Sequence, residues 1–180
     1  MRQGYPGVAS IVVVVHYREV PVDEPEAHAL LEAYFTERIA TFPDPAGYTT
    51  TFPDSAAFVP PRGVFVVVDL DDREAVACGG IRRIDAGSSG EVRYEVKHLF
   101  VSPDGRGHGL GKALLAELER RAARFGATEA VLDTNDSLTA AGGLYRSTGY
   151  SSIEPYNDNP NATHWYAKRL SAVDAPDISG

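Results

Sequence analysis

The segment SPDGRGHGLGKALL, residues 102–115, carries four glycines at alternate positions just before a run of alanine and leucine. These glycines are Gly105, Gly107, Gly109 and Gly111. Glycine loses more backbone entropy on folding than any other residue, so the pattern predicts that another group comes closer to the main chain than a Cβ atom would allow. Because main-chain N–H groups at a helix start attract anions, we predict an anion-binding loop followed by a helix over 110–125.

Two common nucleotide-binding motifs do not fit this segment. A P-loop needs glycine five residues before the glycine of its Gly-Lys pair and Ser or Thr after the lysine, but Arg106 and Ala113 stand there. The Gly-x-Gly-x-x-Gly fingerprint fails in every frame, because its third glycine would fall on Leu110, Lys112 or Leu114. The pattern that remains is Arg-x-x-Gly-x-Gly.

Composition limits the class of protein and its partners. The chain has 180 residues, 43% apolar and 23% charged, which predicts one globular domain over 1–170 and a disordered polar tail over 171–180. A net charge of −8 without a basic block argues against a nucleic-acid partner. We find no leader pattern and no run of about twenty apolar residues, so no membrane partner is predicted. Cys78 is the single cysteine, which fits a cytoplasmic location.

The predicted elements follow the order of a mixed α/β protein. Strands are predicted over 11–16, 64–70, 75–84, 91–101, 130–134 and 163–170. Besides the helix over 110–125, one helix follows a cap at Asp23 and another covers 138–147. The proline-rich segment 42–63 is predicted to be a functional loop with at most one short helix. Side chains along 91–101 are predicted to alternate between the two faces of the sheet unless a bulge resets the register.

Three pieces of sequence follow one another in a characteristic order. The strand YEVKHLFVSP leads into the glycine loop, VLDTN follows about one helix length later, and GLYRSTGY lies at 143–150. Together they resemble the GCN5-related N-acetyltransferase (GNAT) family, whose signature Leu-Tyr-x-x-x-Gly-Tyr/Phe is similar to the third piece. The resemblance covers 64–170 and implies a mixed, mostly antiparallel sheet of six to seven strands with helices on both faces.

The resemblance implies acetyl-CoA as co-substrate, with its pyrophosphate held by the loop and the helix start. The residues concerned are Arg106, Gly107, His108, Gly109, Leu110, Gly111 and Lys112. His108 is interpreted as a variable polar residue of this loop rather than a catalytic base. The main chain of Leu99, Phe100 and Val101 is expected to pair with the pantetheine arm. One N–H there would polarise the thioester carbonyl.

Tyr145 and Glu95 are the candidate acid and base. Tyr145 matches the family tyrosine that protonates the departing thiolate, although its spacing also fits a core aromatic. Glu95 stands where many family members place a carboxylate that takes the amine proton, directly or through water. The alternative for Glu95 is an ion pair with Lys97 or Arg93 on the sheet surface.

One position departs from the family pattern. Many relatives carry asparagine seven residues before the tyrosine, but this chain has Leu138 there. Asn135 lies ten residues before the tyrosine and is a candidate contact for the pantetheine amide or the substrate. The asparagine role of the family therefore does not transfer directly.

The substrate is expected between the first helix, the segment 43–62 and the segment 155–163. The residues expected to line this pocket are Tyr34, Phe35, Arg62 and Tyr156. The acidic chain suits a cationic amine, whereas Arg62 suits a carboxylate, as in an amino acid or short peptide. Each of the four residues fits a core or surface position equally well.

These patterns predict an enzyme that moves an acetyl group from acetyl-CoA to a primary amine of a small molecule or amino-acid-like substrate, by direct attack in a ternary complex. The histidines have no metal-ligand spacing, so no metal is predicted. Two alternatives stay open: a non-catalytic acyl-CoA-binding or regulatory module, and a protein or peptide N-acetyltransferase. A homodimer is expected because it is common in relatives.

Overall fold

The computed structural model describes residues 13–71 and 74–171 and places a seven-stranded sheet among three α-helices there. The strands are β1 (Val15–Glu19), β2 (Gly63–Leu70), β3 (Ala75–Arg83), β4 (Arg93–Val101), β5 (Glu129–Thr134), β6 (Ser151–Ile153) and β7 (His164–Arg169). The helices are α1 (Pro25–Thr41), α2 (Leu110–Arg124) and α3 (Thr139–Ser147).

The strand order is β1-β2-β3-β4-β5-β7-β6, in which β4 and β5 are parallel and the other neighbours are antiparallel. This confirms the predicted mixed, mostly antiparallel sheet of six to seven strands with helices on both faces. The three-residue strand β6 was not predicted, because so short a segment has no periodicity to recognise.

β2 is apolar on both faces because it lies inside the sheet with a helix on either side. Side chains alternate along a strand, so Val64 and Val66 pack with α2 in one core cluster. Phe65 and Val67 pack with α1 in the other cluster. The helices therefore cover opposite faces, and a strand that is buried on both faces appears in sequence as a continuous apolar run.

β4 and β5 form backbone pairs only between Arg93–Glu95 and Glu129–Val131. Beyond these residues the two strands separate toward their carboxyl ends. The side of β4 that faces β5 is thus left without a strand partner from residue 96 onward, and its N–H and C=O groups are available for pairing. This gap positions the candidate site.

β4 contains a bulge, so simple alternation along 91–101 does not hold. The register shifts between Cys78 and Gly80 of β3, so that one β3 residue faces both His98 and Leu99. His98 has φ of +55°, which is uncommon for a residue other than glycine. The bulge turns the His98 side chain toward α1, where its ring contacts aromatic side chains.

The amino-terminal elements differ from their predicted positions. The first strand is Val15–Glu19 rather than 11–16, because it follows the backbone pairing with β2 and an ion pair between Arg18 and Asp69. Residues 11 and 12, like the predicted tail over 172–180, lie outside the described residues. Glu24 rather than Asp23 is the N-cap of α1, without a capping side-chain hydrogen bond.

Two 3₁₀ turns, Pro45–Gly47 and Ser55–Phe58, interrupt the segment 42–63, where at most one short helix was predicted. An aspartate caps the start of each turn, since Asp44 accepts from the Ala46 N–H and Asp54 accepts from the Ala56 N–H. Phe58 from the second turn enters the α1 core cluster, so the segment is anchored against the sheet.

Candidate active site

A cavity of about 900 Å³ opens where β4 and β5 separate. Its walls come from α1, the segment 48–54, the ends of β4 and β5, α3 and the segment 157–161. The predicted site residues that line it are Tyr34, Phe35, Leu99, Phe100, Val101, Arg106, Gly111, Asn135 and Tyr145. Residues predicted separately as cofactor, substrate and acid contacts thus meet in one space.

Arg62 and Glu95 are not brought to this cavity. Arg62 lines a separate cavity of about 450 Å³ together with Arg82 and Arg83. Glu95 is 1% exposed, and other side chains lie between its carboxylate and the open space. Tyr156 is likewise turned away from the cavity, because its hydroxyl donates to Glu95 Oε1 at 2.9 Å.

The four glycines of the segment 102–115 occupy different structural environments. Gly107 and Gly109 have φ of +84° and +70°, and a Cβ on either would meet no atom within 4 Å. Gly105 is tightly packed, since a Cβ there would lie 3.0 Å from Val76. A Cβ on Gly111 would make only ordinary contacts, beginning at 3.7 Å. The predicted close approach is therefore found within the protein at Gly105, where a Cβ would crowd Val76. At Gly107 and Gly109 the positive φ is what requires glycine.

Helix α2 begins with an open amino terminus. Gly109 is its N-cap and has no side chain to satisfy the first N–H groups of the helix. The side chain of Leu110 is buried in the core, so this residue offers only its main chain. Lys112 is exposed, and His108 Nδ1 lies 3.3 Å from the Gly105 carbonyl oxygen. The helix dipole and unsatisfied N–H groups favour an anion at this end.

Arg106 links the glycine loop to the rest of the cavity wall. Its Nε donates to the Val101 carbonyl oxygen at 3.1 Å, and its guanidinium pairs with Glu37 of α1. Both side chains are about half exposed, so the ion pair is weak and a bound anion can displace the carboxylate.

Tyr145 combines the two sequence interpretations. Its ring packs with Tyr150 and Tyr166 at centroid distances of 5.9 and 6.0 Å, as a core aromatic does. Tyr145 is 7% exposed and also lines the cavity, where an acid is needed. Burial, the largest cause, raises the pKa of Tyr145, so the phenol stays protonated at neutral pH.

Glu95 is held by four side chains. Arg82 Nε donates to Oε2 at 2.7 Å, and Lys97 Nζ lies 3.4 Å from Oε1. Tyr156 and Asn157 donate to Oε1 at 2.9 and 3.3 Å. The predicted ion pair with Lys97 is therefore present, but buried beside the cavity rather than on the sheet surface.

Asp133 of β5 lines the cavity, as do the carboxylates of Glu37 and Asp54. Asp133 accepts hydrogen bonds from Asn157 at 2.7 Å and from Asn159 at 3.1 Å, and Lys97 Nζ lies 3.3 Å away. Lys97 and Asn157 thus touch both Asp133 and Glu95. Sequence reasoning missed Asp133, because no spacing in the chain links it to residues of another strand.

Three asparagines at alternate positions fix the segment 155–163 over the gap. Asn157 accepts from the Trp165 indole N–H at 2.8 Å, and Asn159 donates to the β5 carboxylate described above. Asn161 exchanges two hydrogen bonds with the backbone of Thr49, at 3.0 and 2.7 Å. The segment was predicted to border the substrate, and the alternating asparagines were the available signal for how it is held.

Asn135 lines the cavity, but its amide is already engaged. Its Nδ2 donates to the Asn161 carbonyl oxygen and its Oδ1 accepts from the Ser137 N–H, each at 3.0 Å. Leu138, at the usual asparagine position of the family, also lines the cavity. Asn135 therefore supports the turn between β5 and α3.

His98 lies in an aromatic environment at the β4 bulge. Its ring centroid is 5.5 Å from Tyr34, 5.6 Å from Phe35 and 6.4 Å from Phe58. Burial lowers the pKa of His98 to about 3, and the positive charge of Lys97 adds to the effect. The imidazole is therefore neutral in the folded protein at neutral pH.

This histidine predicts a loss of stability in mild acid. An unfolded chain titrates its histidines near about 6.5, so between this pH and about 3 the unfolded state binds one more proton. The free energy of unfolding should fall by about 1.4 kcal/mol for each pH unit below about 6 because of His98 alone. Urea unfolding of the wild type at pH 7, 6 and 5 measures this slope.

The matched variant for this measurement is His98→Asn, because asparagine tolerates positive φ and does not titrate. We expect the variant to lose less stability between pH 7 and 5 than the wild type, by the equivalent of about one proton. Parallel stability curves for the two proteins would contradict the assignment.

Neither a membrane-crossing helix nor a metal-binding cluster occurs in the part of the chain that the structure describes. None of the helices there has both the length and the apolar character that crossing a bilayer requires. Over the same residues, no group of three or more His, Cys, Asp or Glu is placed to hold a metal ion.

The chain is similar in sequence to proteins named N-acetyltransferases. An uncharacterised N-acetyltransferase from Schizosaccharomyces pombe is 35% identical over 101 residues, which are 56% of this chain and 60% of that relative. The chain spans three fifths or less of the length of the curated relatives it matches.

Solved structures share the fold over most of the chain. An acetyltransferase of the GNAT family from Staphylococcus aureus has a TM-score of 0.66 at 17% identity, covering 88% of this chain and 100% of that one. A Salmonella typhimurium structure that includes its cofactor acetyl-CoA has a TM-score of 0.62 at 18% identity, covering 91% and 98%. The sequence profile of the acetyltransferase (GNAT) family matches residues 26–150, more than half of the 180 residues. This protein therefore belongs to the acetyltransferase (GNAT) family.

Proposed function

We propose that this protein transfers the acetyl group of acetyl-CoA to a primary amine, by direct attack within a ternary complex. The observation that carries the proposal is the cavity between the separating strands β4 and β5, which has an open helix start at one end and Tyr145 in its wall. Family membership supports acetyl-CoA as the acyl donor.

The cofactor half of the site is assigned to the glycine loop and the end of β4. The pyrophosphate takes the main-chain N–H groups of 107–111, and Arg106 exchanges Glu37 for phosphate oxygens. The pantetheine arm pairs with the free side of β4 along 99–101, as an added strand would. One N–H of that stretch stabilises the developing oxyanion.

The chemical step is a single displacement. The amine nitrogen bonds to the thioester carbonyl carbon, and the carbon–sulfur bond breaks as the tetrahedral intermediate collapses. Tyr145 donates its phenolic proton to the departing thiolate. The proton lost by the amine goes to the carboxylate pair, where Asp133 is the member that lines the cavity and Glu95 lies behind it.

Variants of the two carboxylates are expected to fail in different ways. Asp133→Asn should lower kcat by about 10²-fold or more, because a general base contributes at least that much. Glu95→Gln should mainly destabilise the fold, because it leaves Arg82 and Lys97 without the buried charge they pair with, at a cost on the order of 2 kcal/mol.

Steady-state kinetics and urea unfolding of both variants separate the two roles. A Glu95→Gln protein with wild-type stability and a hundredfold lower kcat would assign the base to Glu95 instead. The Asp133→Asn protein serves as its matched comparison, since both changes remove one charge from the same hydrogen-bond network.

Calorimetric titration of the protein with acetyl-CoA, followed by thiol release in the presence of amines, tests the proposed function. The amine panel contains small amines, amino acids and short peptides, and we expect turnover with small amines or amino acids. Absence of acetyl-CoA binding would overturn the proposal. Binding without product from any amine would favour the non-catalytic acyl-CoA-binding module, and turnover of peptides alone would favour a peptide acetyltransferase.

The location and assembly of the protein remain predictions. We propose a cytoplasmic protein, on the basis of its single buried cysteine, Cys78. Burial raises the pKa of this thiol, so it is an inert core group rather than a reactive one. The homodimer expected from relatives is tested by light scattering coupled to gel filtration.

A further inference from the structure

The charge inside the cavity differs from the charge of the whole chain. The chain carries a net charge of −8, which favours a cationic substrate. The cavity wall nevertheless contains four cationic side chains, Arg38, Arg82, Lys97 and Arg106. Three of them are compensated, because Arg82 and Lys97 pair with buried carboxylates and Arg106 pairs with a glutamate of α1.

Arg38 is the fourth cationic side chain of the cavity wall. Within residues 13–71 and 74–171, no carboxylate lies at ion-pair distance from its guanidinium. Its Nε is buried and has no hydrogen-bond acceptor there. A buried donor without an acceptor is costly, so this atom calls for an acceptor supplied by a ligand.

The position of Arg38 is fixed by α1. Its Cζ lies 5.4 Å from the centroid of the Tyr34 ring, one helical turn away on the same face. Burial is the main cause that raises the pKa of Tyr145, and among smaller contributions Tyr34 raises it and Arg38 lowers it. The guanidinium therefore lies within electrostatic reach of the proposed acid, on the acceptor side of the cavity.

An aromatic wall stands beside Arg38. Phe35 lies 4.9 Å from Phe52 and 5.6 Å from His98, measured between ring centroids. Phe58 lies 6.4 Å from the same histidine. All four rings line the cavity, and Phe52 remains 43% exposed. Such a wall binds an apolar or aromatic group.

We propose that the acceptor is an α-amino acid with an apolar or aromatic side chain, whose carboxylate pairs with Arg38 and whose side chain lies against Phe35, Phe52 and Phe58. This inference rests on the proposed function and names its substrate class. The amine and carboxylate of an α-amino acid share one carbon atom. Because Arg38 and Tyr145 line the same cavity, a carboxylate held by Arg38 keeps the attacking nitrogen inside that cavity.

The test compares L-phenylalanine with phenethylamine, which is the same molecule without the carboxylate, and with the polycation spermidine. With the full-length wild type and acetyl-CoA, kcat/KM for phenylalanine should exceed that for phenethylamine at least about tenfold, the effect of one charge-assisted hydrogen-bonded pair. In Arg38→Gln that ratio should fall toward one. The exposed Arg124 at the end of α2 provides the control, and Arg124→Gln should keep the wild-type ratio.

Calorimetry of phenylalanine and phenethylamine with the protein, with and without CoA, gives a readout that needs no turnover. A wild-type ratio near one, a preference for spermidine, or no binding of phenylalanine would overturn the inference. The inference would also be overturned if Arg38→Gln weakened acetyl-CoA binding but kept the wild-type ratio of kcat/KM for phenylalanine to that for phenethylamine. Arg38 would then hold the cofactor rather than the acceptor. Failure of the wild type to bind acetyl-CoA is a different result, which removes the proposed function itself.

Discussion

Replacing Tyr145 by phenylalanine is expected to lower kcat by about 10²- to 10³-fold while affinity for acetyl-CoA stays close to that of the wild type. Tyr145 of α3 lines the cavity and is the proposed acid, and the substitution removes its phenolic proton without removing the ring. The ring itself keeps its packing against Tyr150 and Tyr166. Steady-state kinetics and acetyl-CoA titration of the same preparation measure both quantities.

The pH dependence of the activity gives a second test of the role proposed for Tyr145. An acid must be protonated to donate, and burial raises the pKa of Tyr145 above the ordinary phenol value of about 10. Activity of the wild type should therefore show no alkaline loss from this group until the pH exceeds about 10. An alkaline limb near neutral pH that disappears in Tyr145→Phe would contradict the assigned environment.

The matched control for this variant is Tyr150→Phe. The Tyr150 hydroxyl is buried and has no hydrogen-bond partner among the described residues, so its removal leaves nothing unpaired. Tyr150 packs edge-on against the Tyr145 ring but does not line the cavity. Near-wild-type kcat in this control, together with a large loss in Tyr145→Phe, would support the acid role. An unchanged kcat in Tyr145→Phe would refute it.

Changing Gly109 to valine is expected to weaken acetyl-CoA binding by about 10²-fold or more, the cost of two lost charge-assisted hydrogen bonds to the pyrophosphate. Valine places its side chain in the open space in front of the α2 amino terminus. It also opposes φ of +70°, which a β-branched residue avoids. Calorimetry with acetyl-CoA measures the loss directly.

Gly126→Val separates the binding effect from backbone strain. Gly126 follows the other end of α2 with φ of +88°, and a Cβ there also meets no atom within 4 Å. The control variant should lose a similar amount of stability, about 1–2 kcal/mol in urea unfolding, and still bind acetyl-CoA. If both variants bind normally, the glycine loop is a connector and the assigned cofactor half is wrong.

Features that depend on neighbours in the chain were predictable from the sequence. The continuous apolar run of β2, the glycines before α2 and the spacing of Tyr145 each carry a local signal. The fold class followed because the order of such elements restricts the topology. The first strand was misplaced, because its register depends on an ion pair with Asp69 rather than on its own pattern.

The acceptor side of the site was harder to predict, because its residues meet only in three dimensions. Asp133 faces the cavity since β4 and β5 part after three residue pairs, and no local pattern marks that point. Arg38 is distinguished by the lack of a carboxylate partner among residues 13–71 and 74–171, which a sequence does not record. Arg62 was chosen for its chemistry and lies in a different cavity.

The Asn157 side chain contacts the carboxylates of Glu95 and Asp133, and its third partner makes the site observable by fluorescence. It accepts a hydrogen bond from the indole of Trp165, and that indole is the chain's single tryptophan. An acceptor amine that engages Asp133 is thus connected to the fluorophore through one side chain. Tryptophan emission from this protein, excited at a wavelength where tyrosine does not absorb, therefore comes from the edge of the proposed acceptor site alone.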